Sequence, residues 1–211
     1  PVVITTGEPA GIGPELTLML AARGALPEGT VAIGDPRMLR QRADALSLEV
    51  AIVEASPGQA LPTAQAPMLP VWPVALNKPA VPGTLNPANS HYVLETLALA
   101  VDACRAGQAA AMVTAPLHKG VIIEAGVAGF TGHTEWLRDA CGVDEVVMML
   151  ATDNALHAQA PGWQGGGDLR VALVTTHLPL REVAEAITHE RVMRISRLLE
   201  ADLRHQFGLV T

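Results

Sequence analysis

A chain of 211 residues, 49% hydrophobic and 17% charged, can bury a substantial core as one large domain or two modest lobes, and its composition argues against disorder. The formal net charge is −7 and no run of Lys or Arg occurs, which excludes a broad nucleic-acid or anionic-membrane surface but not a local anion pocket. Only 3% of the residues are aromatic, so the core is expected to be built from Ala, Val, Leu, Ile and Met.

Val2–Thr5 reads as a short β-branched strand. The turn-rich stretch 7–13 follows, and Pro14 suits the first turn of a helix whose apolar periodicity runs to Ala22. Thr30–Gly34 is a second strand, 37–46 a helix and 48–53 a third strand. Residues 56–67, rich in Pro, Ala and Gln, suit a surface excursion, and a strand at 68–72 is cut short by Pro73. Over 86–106, Val93, Leu94, Leu97, Val101 and Cys104 recur on one helical face, with Asn89 or Ser90 as cap. A buried strand is expected at 109–114, a helix at 117–125, and a helix over His133–Cys141 closed by Gly142. A strand at 145–151, a long surface loop at 153–168 and a strand at 169–175 follow. Helices at 180–187 and 188–206 complete the chain, with Gly208 ending the last. This alternation predicts the α/β class: a largely parallel sheet with helices on both faces, binding ligands beyond the carboxyl ends of its strands.

The unusual residues gather at four junctions. Thr6 to Glu15 (TGEPAGIGPE) carries glycines that permit tight turns or close backbone approach to a ligand. Gly7, Gly11 and Gly13 do not have the spacing of a Walker loop or of a dinucleotide fingerprint, so ligand contact and a plain strand–turn–helix connection both stand. In TAPLHKG, Lys119 offers a point charge for phosphate or carboxylate beside His118, or is a solvated Lys next to a capping histidine. In FTGHTEW, His133 and Thr134 bring imidazole, hydroxyl and free amides to a helix start, unless Thr131 or Thr134 simply caps that helix. In TTHLPLR, His177 leaves a strand end, where a satisfied structural histidine and a metal ligand are both readings. A catalytic zinc takes about three protein ligands, and no second histidine lies near His177 in sequence. His91 is expected to cap or pack, and His157, His189 and His205 to be solvated. Cys104 and Cys141, too few and too far apart for a disulfide framework, are expected to be half-buried thiols. The apolar runs are too short to span a membrane, and a cytoplasmic location is expected.

The runs VVITTGEPAGIGPEL, MVTAPLHKGVI, FTGHTEWL, VVMMLAT and TTHLPLREVAEAIT occur in that order. Together they resemble the 4-hydroxythreonine-4-phosphate dehydrogenases of vitamin B6 biosynthesis, from Val2 to the end of the chain with an interruption at 153–168. The resemblance implies a two-lobed α/β/α architecture like that of isocitrate and isopropylmalate dehydrogenases, here truncated. Residues 1–211 would form an incomplete domain of that kind, with a lobe boundary expected near 107–115. It implies a homodimer whose active site is shared between subunits. By the same resemblance, His133 and Thr134 bind substrate and His177 is one of three histidine metal ligands. Lys119 and the 7–13 loop match family sequence without an assigned role. The other two metal histidines and most nicotinamide contacts would belong to segments following Thr211.

The implied reaction oxidises 4-phosphohydroxy-L-threonine with NAD or NADP and a divalent metal (zinc, magnesium or cobalt). The resulting 3-oxo acid decarboxylates to 3-amino-2-oxopropyl phosphate. The residues do not reveal the general base. Two alternatives remain: a related dehydrogenase of a phosphorylated four-carbon sugar acid or an aromatic cis-dihydrodiol, and a catalytically incomplete binding or dimerisation module. A phosphate acyltransferase-like α/β protein would leave the GHTE and THLP motifs unexplained together.

Overall fold

A computed structural model describes residues 1–62, 67–152 and 169–209. They form two compact units, Pro1–Gly142 and Val143–Thr211.

The first unit is built on a five-stranded parallel sheet: β1 (Val2–Thr5), β2 (Thr30–Gly34), β3 (Ala51–Glu54), β4 (Met68–Pro73) and β5 (Ala111–Thr114), in the order β3-β4-β2-β1-β5. Val3 is level with Val31 on one side and Met112 on the other. Five helices cover the sheet: α1 (Gly13–Ala22), α2 (Pro36–Ala45), α3 (Ser90–Arg105), α4 (Lys119–Glu124) and α5 (His133–Cys141). Because successive strand residues point to opposite faces, alternate positions enter different cores. Ala32, Leu69 and Val71 pack with Leu18 and Ala21 of α1 and Met38, Leu39 and Ala43 of α2. Val3, Val31, Ile33 and Trp72 pack on the other face with Tyr92, Val93 and Ala100 of α3 and Val121 and Ile122 of α4. Helices therefore lie on both faces, as the alternation of elements predicted. β2 is buried at all five positions, as a strand sandwiched between two helical layers must be.

Local chemistry sets the helix ends. Asp35 Oδ1 accepts from Arg37 N at 2.8 Å and Met38 N at 2.9 Å, while Pro36 sits where its missing N–H costs nothing. Asp35 Oδ2 accepts from Leu76 N at 2.8 Å, tying the loop after β4 to the same cap. Asn86 caps a single 3-10 turn, Pro87–Asn89, that leads into α3. Gly142, left-handed at φ 65°, ends α5.

Two expectations change here. Trp72 and Tyr92 are the largest fully buried side chains, so two of the few aromatic residues sit at the heart of a core expected to be aliphatic. β5 was expected to be buried. It pairs only with β1 among the described strands, so alternate residues face outward and Val113 is 51% exposed. The two units divide between Gly142 and Val143, and β5 pairs inside the first.

The second unit contains β6 (Met149–Thr152), β7 (Leu169–Ala172), α6 (Leu180–Ala186) and α7 (His189–Phe207). β6 and β7 pair antiparallel, a departure from the parallel arrangement of the first unit, and both are shorter than the predicted strands. The predicted loop at 153–168 lies outside the described residues, as does His157. Thr188 Oγ1 caps α7 by accepting from Arg191 N at 3.1 Å, and Gly208 (φ 63°) terminates it. Arg191 donates to Val174 O at 2.8 Å, and Arg194 pairs with Glu145 at 2.8 Å. Among the described residues, no helix is long and apolar enough to cross a membrane.

Candidate ligand-binding site

β1 and β5 are neighbours, yet their connections leave on opposite faces. α1 packs on one face through Leu18 and Ala21, and α4 on the other through Val121 and Ile122. Such a divergence is the topological switch point at which open α/β sheets bind ligands. The two loops meet there: Glu8 N donates to Pro116 O at 2.9 Å. A Cβ on Gly7 (φ 70°) would run into the Pro116 and Ala115 carbonyls. One on Gly13 would run into Thr6 O and come within 2.7 Å of Ala115 Cβ. Close packing of the two loop backbones thus accounts for Gly7, and a tight turn against Thr6 and the Ala115 side chain for Gly13. Arg42, buried on α2, holds the same loop by donating to Pro9 O at 2.9 Å and pairing with Glu15 at 2.7 Å. Sequence reasoning passed over Arg42. The available signal was an arginine on the same stripe as Met38, Leu39 and Ala43.

Beyond β5, His118 caps α4, its Nδ1 accepting from Val121 N at 3.2 Å, so the capping reading of this histidine holds. Lys119 follows on the first turn. The segment before α5 joins α4 to α5, so FTGHTEW is a helix–helix connection rather than the strand junction expected. α5 begins at Gly132, whose φ of 137° and ψ of −170° suit glycine alone. No side chain caps it, so neither Thr131 nor Thr134 plays the capping part considered from the sequence. The Lys119 side chain lies across Gly132: a Cβ there would stand 2.8 Å from Lys119 Cε and 2.9 Å from Nζ. Thr134 is exposed beside it. His133 is half-buried, and its Nε2 is shut off from solvent with no hydrogen-bond partner among the described residues. Burial, and secondarily the Lys119 charge, pushes the His133 pKa below its usual 6.5, so the ring is mainly neutral at pH 7. Thr5 Oγ1 and Trp72 Nε1, in the sheet, are also buried without partners, and nothing in the structure accounts for them. His133 differs in lying beside a cation and an exposed hydroxyl.

His177 lies in the second unit, past the end of β7, exposed and in the left-handed region at φ 57°. Histidine adopts this conformation uncommonly, and such strain collects at functional positions. No group of three or more His, Cys, Asp or Glu suited to holding a metal occurs among the described residues. His91, His189 and His205 are exposed. Cys104 is half-buried, and Cys141 is exposed where a half-buried thiol was expected. A cavity of about 560 Å³ lined by Gly29, Thr30, Pro67 and Met68 opens at the amino ends of β2 and β4, the wrong end of the sheet for the chemistry above.

Two touching loops at a switch point, on a parallel sheet with helices packed on both faces, place the first unit among open parallel α/β proteins. The chain belongs to the family of the pyridoxal phosphate biosynthetic protein PdxA, a model of which matches residues 27–211. It is 50% identical over 208 residues to a 4-hydroxythreonine-4-phosphate dehydrogenase of Pseudomonas putida, covering 98% of this chain and 58% of that protein. The crystal structure of 4-hydroxythreonine-4-phosphate dehydrogenase from Klebsiella pneumoniae superposes with a TM-score of 0.79 at 26% identity, covering 96% of this chain and 59% of that one. The corresponding enzyme from Burkholderia phymatum gives 0.77 at 28% identity, covering 96% and 57%. The chain therefore spans a little under three-fifths of the length of these relatives.

Proposed function

We propose that the whole protein is a 4-hydroxythreonine-4-phosphate dehydrogenase serving pyridoxal phosphate biosynthesis. It would oxidise the secondary alcohol of 4-phosphohydroxy-L-threonine to a 3-oxo acid, which loses CO2 to give 3-amino-2-oxopropyl phosphate. The observation that carries the reading is the half-identity to a protein of that name over almost the entire chain, joined to a GHTE segment whose polar groups are unspent on the fold.

When bound, NAD or NADP would take up the hydride, and a divalent ion such as zinc, magnesium or cobalt would supply Lewis acidity toward the alcohol and ketone oxygens. His177 fits as one donor to that ion, being exposed and in the left-handed backbone region at φ 57°. Further ligands would come from outside the described residues, in keeping with a two-lobed enzyme related to isocitrate and isopropylmalate dehydrogenases and acting as a homodimer with a shared site. His133 and Thr134 would bind the substrate. The neutral ring offers one donor and one acceptor nitrogen, and the hydroxyl both donates and accepts. A cytoplasmic location completes the proposal.

Assay of the full chain with NAD or NADP tests it. 4-Phosphohydroxy-L-threonine should be turned over in preference to a phosphorylated four-carbon sugar acid or an aromatic cis-dihydrodiol. Preference for either of the latter would replace the substrate named here. Thr134→Val and His133→Ala should each weaken substrate binding about ten- to a hundredfold, the usual worth of a hydrogen bond to a charged group. NAD affinity should stay level. A lowered melting temperature with unchanged substrate titration would reduce both residues to structural parts.

A further inference from the structure

We infer that Lys119 is a further substrate-binding residue of this site, its ammonium meeting an anionic group of the ligand alongside His133 and Thr134. The inference rests on the function proposed above for the GHTE segment, and its geometry is independent of any family assignment for Lys119. Three observations carry it.

First, the side chain is led to the site. Lys119 lies on the first turn of α4, beyond the switch-point loop, and its Cε and Nζ would stand 2.8 and 2.9 Å from a Cβ at position 132. Any side chain other than glycine's would collide with the ammonium where it now rests. Second, the ammonium is unspent. Among the described residues it forms no ion pair and no hydrogen bond, and Glu135, whose Oε2 would stand 3.9 Å from the same Cβ position, is not paired with it. Third, the charge is felt locally: burial and then Lys119 keep the neighbouring ring neutral at pH 7, and His133 Nε2 is sealed from solvent without a partner. The site thus offers one fixed positive charge with neutral hydrogen-bonding groups around it. That combination suits phosphate or carboxylate, bound by charge from Lys119 and by direction from the imidazole and hydroxyl. A protonated ring would repel the Lys119 ammonium, whereas a neutral ring does not.

The test uses the full chain with Lys119→Met and Lys119→Arg. KM and kcat are measured for 4-phosphohydroxy-L-threonine and for its unphosphorylated counterpart, and inorganic phosphate binding is followed by calorimetry. Lys119→Met should raise KM for the phosphorylated substrate about ten- to a hundredfold with kcat little changed, and Lys119→Arg should recover most of the loss. If the anion is the phosphate, the unphosphorylated compound shows no penalty and inorganic phosphate binding is lost in Lys119→Met. If it is the carboxylate, both compounds suffer alike. An unchanged KM for both overturns the inference while leaving the proposed function standing. If the wild-type chain does not turn over the phosphorylated compound, the proposed function fails, and calorimetry then decides the inference. Phosphate binding that depends on Lys119 supports it. Binding that is absent, or unaffected by Lys119→Met, overturns it.

Discussion

The two units of the chain handle their apolar side chains differently. In the first, Val3, Val31, Ile33, Leu39 and Leu69 are sealed completely from solvent between two helical layers. In the second, Ile195 is the sole buried side chain among the described residues, while Leu150, Leu169 and Val171 of the β6–β7 ribbon are 58%, 50% and 44% exposed and Leu180 is 90% exposed. A sheet covered on both faces is a self-sufficient core, whereas a two-stranded ribbon is marginal on its own. The putting of chemistry follows the same division. Lys119, His133 and Thr134 stand on the well-buried unit and His177 on the weakly buried one. The residues proposed to bind substrate are thereby carried by the well-buried unit, and the proposed metal donor, His177, by a unit with little buried core among its described residues.

The contrast is sharpest in core truncation. Leu39→Ala should lower stability by about 2–5 kcal/mol, the cost of lost burial plus a residual cavity. Leu169→Ala, half-exposed, should change it by under about 0.5 kcal/mol. Urea unfolding followed by circular dichroism measures both. Comparable losses would show that the second unit has a core as important as the first.

A smaller effect is expected at the polar knot inside the first unit. Tyr92 OH lies 2.9 Å from Thr6 Oγ1 and accepts from Asp35 N at 3.3 Å, and a Cβ on Gly34 would intrude on it at 2.9 Å. Tyr92→Phe strands buried groups and should cost about 1–3 kcal/mol. Burial pushes the Tyr92 pKa from 10.0 up to about 12. A raised folded pKa means this contribution to stability is whole below pH 10 and is lost as pH rises toward 12. The chain has one tyrosine, so tyrosinate absorbance reads it directly. A midpoint near 10 in the folded protein would contradict the burial described here.

How far the sequence foretold this structure depends on whether the signal was local. β1, β2, α5 and the helix stops at Gly142 and Gly208 follow from nearby residues, because periodicity and capping act within a turn or two. Asn89, by contrast, expected as a cap of α3, makes no capping hydrogen bond, and Asn86 caps the 3-10 turn before it. The antiparallel pairing of β6 with β7 was missed, because strand direction depends on partners distant in sequence. Within the site, His133, Thr134 and Lys119 were all legible as polar groups near a helix start. The approach of Lys119 to Gly132 and His133 was not, since it needs the turn that brings α4 and α5 together. Gly7 was ambiguous for the same reason: the backbone it accommodates belongs to Ala115 and Pro116, about a hundred residues away, and Gly13 likewise meets the Ala115 side chain as well as Thr6 of its own loop.

His177 offers a probe of the second unit that separates fold from function. A left-handed non-glycine residue stores on the order of 1 kcal/mol, which glycine relieves while adding freedom to the unfolded chain. His177→Gly should therefore leave the melting temperature unchanged or slightly raised, while divalent-metal affinity and turnover of the full chain fall together. A clear loss of thermal stability without loss of metal affinity would make His177 a structural residue.

The smallest expected effect concerns pH and the first unit alone. Burial is the larger cause of the lowered His133 pKa and Lys119 the lesser, so the ring should titrate below 6.5 when followed by NMR. The unfolded chain then takes up a proton before the folded one does. The stability contributed by the neutral ring is complete above about pH 6.5 and is lost as pH falls through the folded value. His133→Gln should remove that acid limb without altering stability at pH 8. Lys119→Met should move the midpoint only part of the way back toward 6.5, because burial remains when the charge is gone. A full return would make the ammonium the main cause and the pocket around the ring open to water. A midpoint at or above 6.5 in the wild-type protein would remove the neutral ring from the site, and with it the division of labour between one charged lysine and one uncharged histidine.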